Sequence, residues 1–282
     1  MRRFFAFGCS FTKWRWAMWP EIINCEFQPE VYENHGVPGA GNQFIAHQVA
    51  IADQKHKFNK DDLVMICWTH VFRKDWYIPN GHHCGDNYGI PGEFHGWECG
   101  GNIFTADHKL NAEVPDCHKI PSDYLARDSL LIYNTMRNLN DAGVPNYQMQ
   151  ISEIFNRSGD NSQSVFHKAE ADTPQITPLT DYCNQYIKTP YENHISTDQT
   201  WLFYLPEDRE HGALDYHPMP TDHVRYLEEA CDIPISTKTK DISRSCEEQV
   251  FEYIKSQRQK LNLQPHEYME NFSEDMPFKS LC

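Results

Sequence analysis

At 282 residues the chain is long enough for one large domain or two small ones with a well-buried core. Hydrophobic residues at 40%, charged residues at 23% and aromatics at 13% fit a soluble globular protein and argue against disorder. A formal net charge of -15 argues against a nucleic-acid backbone or an anionic membrane as main partner, because both would repel it.

The opening "MRRFFAFGCSF" pairs a charged start with an apolar run of only about seven residues, and no small-residue cleavage site follows. No stretch approaches the roughly 20 apolar residues of a membrane span. A soluble, cytoplasmic chain made without a cleaved leader is the expectation. Its ten cysteines, none in a CxxC pair, are then expected to be free thiols.

In chain order, "RFFAFG" reads as a strand, and "WAMWPEIINCEF" as a short helix carrying Trp16, Trp19, Ile22 and Ile23. "VYENHGVPGAGN" is a strand running into a Gly-rich turn. "NQFIAHQVAIADQK" has Phe44, Ile45, Gln48, Val49 and Ala52 at helical spacing. "DDLVMICWT" is the clearest strand: acidic residues, then a continuous apolar run, as in a strand buried on both faces. From 76 to about 120 the pattern dissolves into an insertion rich in Gly, His and aromatics. Helix returns in "SDYLARDSLLIYNTMRNLNDAG", with Ser122 as expected N-cap and Gly143 as terminator. "VPNYQMQIS" is another strand, residues 156–200 a second insertion, and "TWLFYLP" a candidate strand. The helices "TDHVRYLEEA" and "SCEEQVFEYIKSQRQKL" close the ordered part. Such alternation predicts an α/β fold: a single domain over 1–282, a three-layer α/β/α sandwich around a flavodoxin-like parallel sheet of about five strands, with two insertions. Ligands on such sheets bind beyond the carboxyl ends of the strands.

Each predicted strand ends in residues able to do chemistry. The first ends in Gly8-Cys9-Ser10, the second in "NHGVPGAGN" (34–42), the third in Trp68-Thr69-His70. A late loop carries Asp215-Tyr216-His217-Pro218. "FGCSFT" resembles the first block of the SGNH/GDSL hydrolases, esterases and acyl hydrolases with a flavodoxin-like sheet. "NHGVPGAGN" resembles their second block, where an Asn and a Gly five residues later bracket the turn. "DYHPMPTDH" resembles the last. The resemblance covers residues 4–73 and 200–230 but neither insertion. It implies Ser10 as nucleophile, His217 as general base and Asp215 as its orienting carboxylate. It also implies the backbone N–H groups of Ser10 and Gly39 as oxyanion donors, and no cofactor. The chemistry is sound in itself: a serine hydroxyl needs a neighbouring imidazole to take its proton, and the anionic intermediate needs preplaced donors.

Two departures stand out. The family usually has its Asp three residues before the His, whereas Asp215 is two before. The family's third-block Asn, a side-chain donor to the oxyanion, is absent; Thr69 is the nearest substitute, with His70 and Asn42 as alternatives. The opening "GCSFT", together with W-T-x-x-x-R after the third strand ("WTHVFR"), also looks like that of chains found in bacteriophage genomes, which implies a host-cytoplasmic or virion location. Cys9 is the rival nucleophile, expected on the buried side of the strand. His223 is the rival base, expected in a helix. Arg73 binds an anionic part of a substrate or makes a surface ion pair. Trp68 and His70 are candidate substrate contacts. The insertion's His82, His83, Cys84, His95, Cys99, His108, Cys117 and His118 fit no established zinc spacing, so no metal is assigned. Its aromatics, Trp76, Tyr77, Tyr88, Phe94 and Trp97, suit a wall over the crevice.

The reading is a serine esterase acting on an acyl or acetyl ester, on a carbohydrate or a small molecule. Two alternatives stand beside it: a non-catalytic module of a larger assembly or virion, and an acyltransferase using the same acyl-enzyme.

Overall fold

Phe4, Phe5, Ala6 and Phe7 are fully buried, so the first strand is covered on both faces. That is the signature of a central strand in a parallel sheet. The computed structural model describes residues 1–14, 16–77, 96–102, 120–155, 175–194, 217–260 and 281. In it β1 (Arg3–Phe7) pairs in parallel with β2 (Val31–Asn34) on one side and β3 (Asp62–Trp68) on the other. β3 in turn pairs in parallel with β6 (Asn146–Gln150), giving the order β2-β1-β3-β6. The architecture is the expected α/β class, a parallel sheet with helices on both sides. The sheet has four strands among the described residues, fewer than expected. The place beside β6 is taken by a single parallel bridge from Ile187 to Gln148, fixed by Lys188 N–H on the Gln148 carbonyl at 2.8 Å. The Gln150 amide donates back to the Lys188 carbonyl at 2.8 Å. At the amino end of the sheet Arg3 and Asp62 form a two-pronged ion pair, both contacts at 2.6 Å.

Contacts within the chain gather into two compact units, one of Met1–Thr12 and Pro29–Tyr191, the other of Lys13–Gln28 and Glu192–Cys282. In the first, α2 (Asn42–His56) packs on α3 (Pro121–Asp141), and α3 on α4 (Thr177–Asn184). α3 starts earlier than the sequence suggests: Pro121 takes the first turn, where its missing N–H costs nothing, and Ile120 rather than Ser122 is the N-cap. Gly143 ends it at φ +66, as expected. The region read as aperiodic holds an antiparallel hairpin, β4 (Arg73–Tyr77) with β5 (Trp97–Asn102). The "TWLFYLP" strand and most of both insertions lie outside the described residues.

In the second unit α1 (Trp19–Phe27) packs on α5 (Pro220–Glu229) and α6 (Thr237–Lys260). Pro20 delays the start of α1 to Trp19, and the Glu21 carboxylate accepts the Met18 N–H at 2.9 Å. Trp16, Ala17, Met18, Met219, Cys246 and Val250 form one apolar cluster, with the Trp16 indole donating to the Pro218 carbonyl at 3.0 Å. His223 in α5 is fully buried. Desolvation, with the His217 charge nearby, pushes its pKa down to about 3. A depressed histidine pKa contributes stability that is complete above the unfolded value of 6.5 and lost as pH falls toward the folded value. The unfolding midpoint in urea is therefore expected to drop between about pH 6.5 and pH 4, toward a limit on the order of 4 kcal/mol. His223→Gln should flatten that slope, which equilibrium unfolding at a series of pH values would measure.

Cys25 and Cys99 each take part in a disulfide, while Cys9, Cys67, Cys183, Cys231 and Cys246 are free and buried, which corrects the expectation of ten reduced thiols. No helix among the described residues is long and apolar enough to cross a membrane.

Candidate active site

A parallel sheet puts every strand's carboxyl end on one edge, and the register fixes who sits there. Phe7 is opposite Ile66, and Ala6 opposite Asn34, so the turns after β1, β2 and β3 leave side by side. The order of connections reverses between β1 and β3, the place where sheets of this kind open a crevice.

Ser10 lies in the turn after β1, closed by Thr12 N–H on the Cys9 carbonyl at 2.9 Å. Gly8 makes the turn feasible: a Cβ there would run into Thr12 Oγ1 and sit 3.0 Å from the Cys67 carbonyl oxygen. The turn after β2 is bonded to it directly. Val37 N–H donates to the Gly8 carbonyl at 3.0 Å, and the Asn34 amide donates to the Thr12 carbonyl at 3.0 Å. Asn34 Oδ1 also accepts Gly36 N–H at 2.9 Å. Val37-Pro38-Gly39-Ala40 then forms a turn closed by Ala40 N–H on the Val37 carbonyl at 3.1 Å. Pro at its second position and φ +79 at Gly39 are the type II pattern, which leaves the Gly39 N–H out of the turn's own hydrogen bond. Ser10 itself is 7% exposed, its Oγ 4.0 Å from Cys9 Sγ; Cys9 is fully buried, as expected of an inert thiol.

Behind these turns lies a buried polar cluster that sequence reasoning misses. Asp75 in β4 accepts Gly41 N–H at 2.8 Å and Phe44 N–H at 2.9 Å, so it caps the N-terminus of α2 from a different element. Gly41 permits this approach, since a Cβ there would lie 2.7 Å from Asp75 Oδ2. Burial pushes the Asp75 pKa up, against the pull of those two N–H groups and of Arg127 and Arg73. Asp128 in α3 takes the Asn42 amide at 2.8 Å and Arg127 Nε at 2.6 Å; burial raises its pKa to about 6. Asp128 has a signal in the sequence, one acid set among Leu125, Ile132, Met136 and Leu139 on the buried stripe of α3. Asp75, in "RKDWY", has none.

This cluster corrects one expectation. Asn42 is fully buried, and its amide donates to both the Thr69 carbonyl (2.9 Å) and Asp128 while its Oδ1 accepts Thr69 N–H at 2.9 Å. Both amide hydrogens are engaged, so Asn42 rivets α2 to β3 and α3 and is not an oxyanion donor. Trp68 is corrected as well: it is fully buried, its indole bonded to Gln148 Oε1 at 2.8 Å, and so is no substrate contact. Arg73 donates Nη1 to the Ala40 carbonyl at 3.0 Å, holding the Gly39 turn. His70 is partly exposed, its Nδ1 2.7 Å from Ser152 Oγ just past the end of β6.

Thr69 is fully buried, and its hydroxyl finds no hydrogen-bond partner among the described residues. An unpaired buried hydroxyl is a cost, so Thr69→Val is expected to stabilise the fold by about 1 kcal/mol, readable as a higher urea midpoint at unchanged m.

His217 belongs to the second unit and Ser10 to the first. The His217 ring stacks on Trp14, centroids 3.7 Å apart and planes 17° apart, and Trp14 packs on the apolar cluster around Trp16. His223, fully buried and held neutral, is unsuited to the exchange of protons with a substrate. Asp215 lies outside the described residues, as do the insertion histidines. Among the described residues no three or more His, Cys, Asp or Glu side chains are grouped as a metal site.

No protein-family model matches the chain, and no curated protein matches it. Among solved structures, a psychrotrophic esterase from Pseudoalteromonas sp. is similar at 10% identity and TM-score 0.37, covering 93% of this chain and 100% of that one. A member of the lipolytic G-D-S-L family from Veillonella parvula is similar at 14% identity and TM-score 0.37, covering 81% and 98%. A likeness this slight says nothing about activity.

Proposed function

We propose that the chain is a serine ester hydrolase of the SGNH type. The observation that carries the reading is the pairing of two turns: the Ser10 turn and the Gly39 turn leave the adjacent strands β1 and β2 and are hydrogen-bonded to each other. In this mechanism Ser10 Oγ attacks the ester carbonyl carbon while His217 takes its proton, with Asp215 holding the imidazole. The carbonyl electron pair moves to oxygen, where the N–H groups of Ser10 and Gly39 and the Thr69 hydroxyl receive it. Collapse expels the alcohol, protonated by His217, and leaves an acyl-serine. Water, deprotonated by His217, repeats the sequence to release the acid and restore Ser10. His217 and Asp215 are assigned these roles on the strength of the family resemblance. An acyl or acetyl ester of a carbohydrate is the proposed substrate, on the strength of the family resemblance.

A second reading, a binding module without catalysis, is favoured by the near-complete burial of Ser10. Fluorophosphonate labelling followed by peptide mass spectrometry separates the two. Labelling at Ser10 supports the hydrolase; an unlabelled Ser10 in folded protein removes it.

A further inference from the structure

Arg73 and Asp75 stand two residues apart on β4, the spacing that puts both side chains on one face of a strand. That face meets the exit of the Gly39 turn. Arg73 Nη1 donates to the Ala40 carbonyl at 3.0 Å, and Asp75 Oδ1 accepts the Gly41 N–H at 2.8 Å. The Ala40 carbonyl and the Gly41 N–H belong to one planar peptide unit. A guanidinium therefore grips its oxygen and a carboxyl group its hydrogen. The fit is close, since a Cβ on Gly41 would sit 2.7 Å from Asp75 Oδ2 and 3.0 Å from Arg73 Cβ.

Ala40 lies between two glycines, the residues whose backbone turns over most readily. Turning the Ala40–Gly41 peptide over would set its carbonyl oxygen against the Asp75 carboxyl and its N–H against the Arg73 guanidinium, a repulsion at both ends. Ala40 is held on its other side too, where its N–H closes the turn on the Val37 carbonyl at 3.1 Å. Arg127 Nη2 anchors β4 in turn through the Arg73 carbonyl at 2.9 Å. Gly39, at φ +79, is thus left between Pro38, whose ring fixes its own φ, and an Ala40 bonded at both its backbone polar groups.

We infer that Arg73 and Asp75 are positioning residues, which together lock the Ala40–Gly41 peptide and so hold the Gly39 N–H where the developing oxyanion needs it. The inference rests on the serine-hydrolase reading, in which that N–H is an oxyanion donor. Arg73 then acts on the rate and not on substrate affinity, through the backbone and without touching the ester. Asp75 also caps α2 at the Phe44 N–H, so changing it disturbs more than the turn. Arg73 is partly exposed and is the member to change.

Arg73→Met and Arg73→Lys test it in the full chain, with p-nitrophenyl acetate as substrate and a fluorophosphonate as probe of Ser10. Arg73→Met is expected to lower kcat and the labelling rate by about 10²-fold with KM unchanged, because a displaced donor no longer meets the oxyanion. Arg73→Lys keeps a donor for the Ala40 carbonyl and should recover about tenfold of that loss. Amide exchange read residue by residue by NMR follows the lock without turnover. The Ala40 and Gly41 N–H groups should exchange about tenfold faster in Arg73→Met, while the β1 amides keep the wild-type rate. Equal labelling of wild type and Arg73→Met, a raised KM at unchanged kcat, or unaltered exchange at Ala40 and Gly41 would each overturn the inference. So would faster exchange throughout β1, which would mark Arg73 as a general structural group. A wild-type chain left unlabelled at Ser10 would instead remove the hydrolase reading and the role of Gly39 with it, and the exchange result would still decide the lock.

Discussion

Ser10→Ala is expected to lower kcat for p-nitrophenyl acetate by about 10⁴–10⁶-fold and to abolish fluorophosphonate labelling, with the unfolding midpoint almost unchanged. The size follows from the role. Without the hydroxyl no acyl-enzyme forms, and what survives is direct attack by water helped by the two backbone donors. The small effect on stability follows from the contacts, since among the described residues the hydroxyl of Ser10 makes one hydrogen bond, a long one to Cys9 Sγ at 4.0 Å. Thr69→Val sharpens the picture: a variant that is more stable yet roughly 10²-fold slower would assign the Thr69 hydroxyl to the oxyanion. Wild-type turnover by Ser10→Ala would end the hydrolase reading and leave the binding module.

Asp75→Ala is expected to destabilise the fold by about 3–5 kcal/mol. The carboxylate is fully enclosed and satisfies the Gly41 and Phe44 N–H groups at the start of α2, which alanine would leave buried and unpaired. It also removes one of the two acids set against Arg127. Asp75→Asn keeps the volume and one acceptor but turns an NH₂ toward a donor, so about half that loss is expected. Asp123→Ala, on the exposed side of α3, should stay within roughly 0.5 kcal/mol. Urea unfolding of the three variants gives the ranking. Equal losses for Asp75→Ala and Asp123→Ala would show that the cap carries no special weight.

How much of this is legible in the sequence depends on what each residue touches. β1 and β3 are readable because strands covered on both faces carry unbroken apolar runs, and α2 because its buried positions recur at helical spacing. The hairpin of β4 and β5 is not readable. Its buried members include Asp75, and a strand whose inward residue is an acid shows no apolar alternation. The Ser10 and Gly39 turns show through motif residues that do local work, a close approach at Gly8 and a positive φ at Gly39. Asn42 and Trp68 mislead for one reason. Both are polar-tipped groups at the end of an element, Asn42 starting α2 and Trp68 ending β3, and whether such a tip faces a crevice or a neighbour is decided by residues far along the chain, here Asp128 and Gln148.

The second unit is assembled from two pieces of sequence, with α1 separated from α5 by nearly two hundred residues. At a synthesis rate of about 5–20 residues per second, α1, with its buried Trp19, Ile22 and Ile23, emerges tens of seconds before the two helices it packs on exist. During that interval the growing polypeptide trails a bare apolar stripe while its β-sheet is already being laid down. Ribosome-bound chains halted before Pro220 should therefore recruit holdase chaperones at α1, and replacing Ile22 and Ile23 by serine should release them.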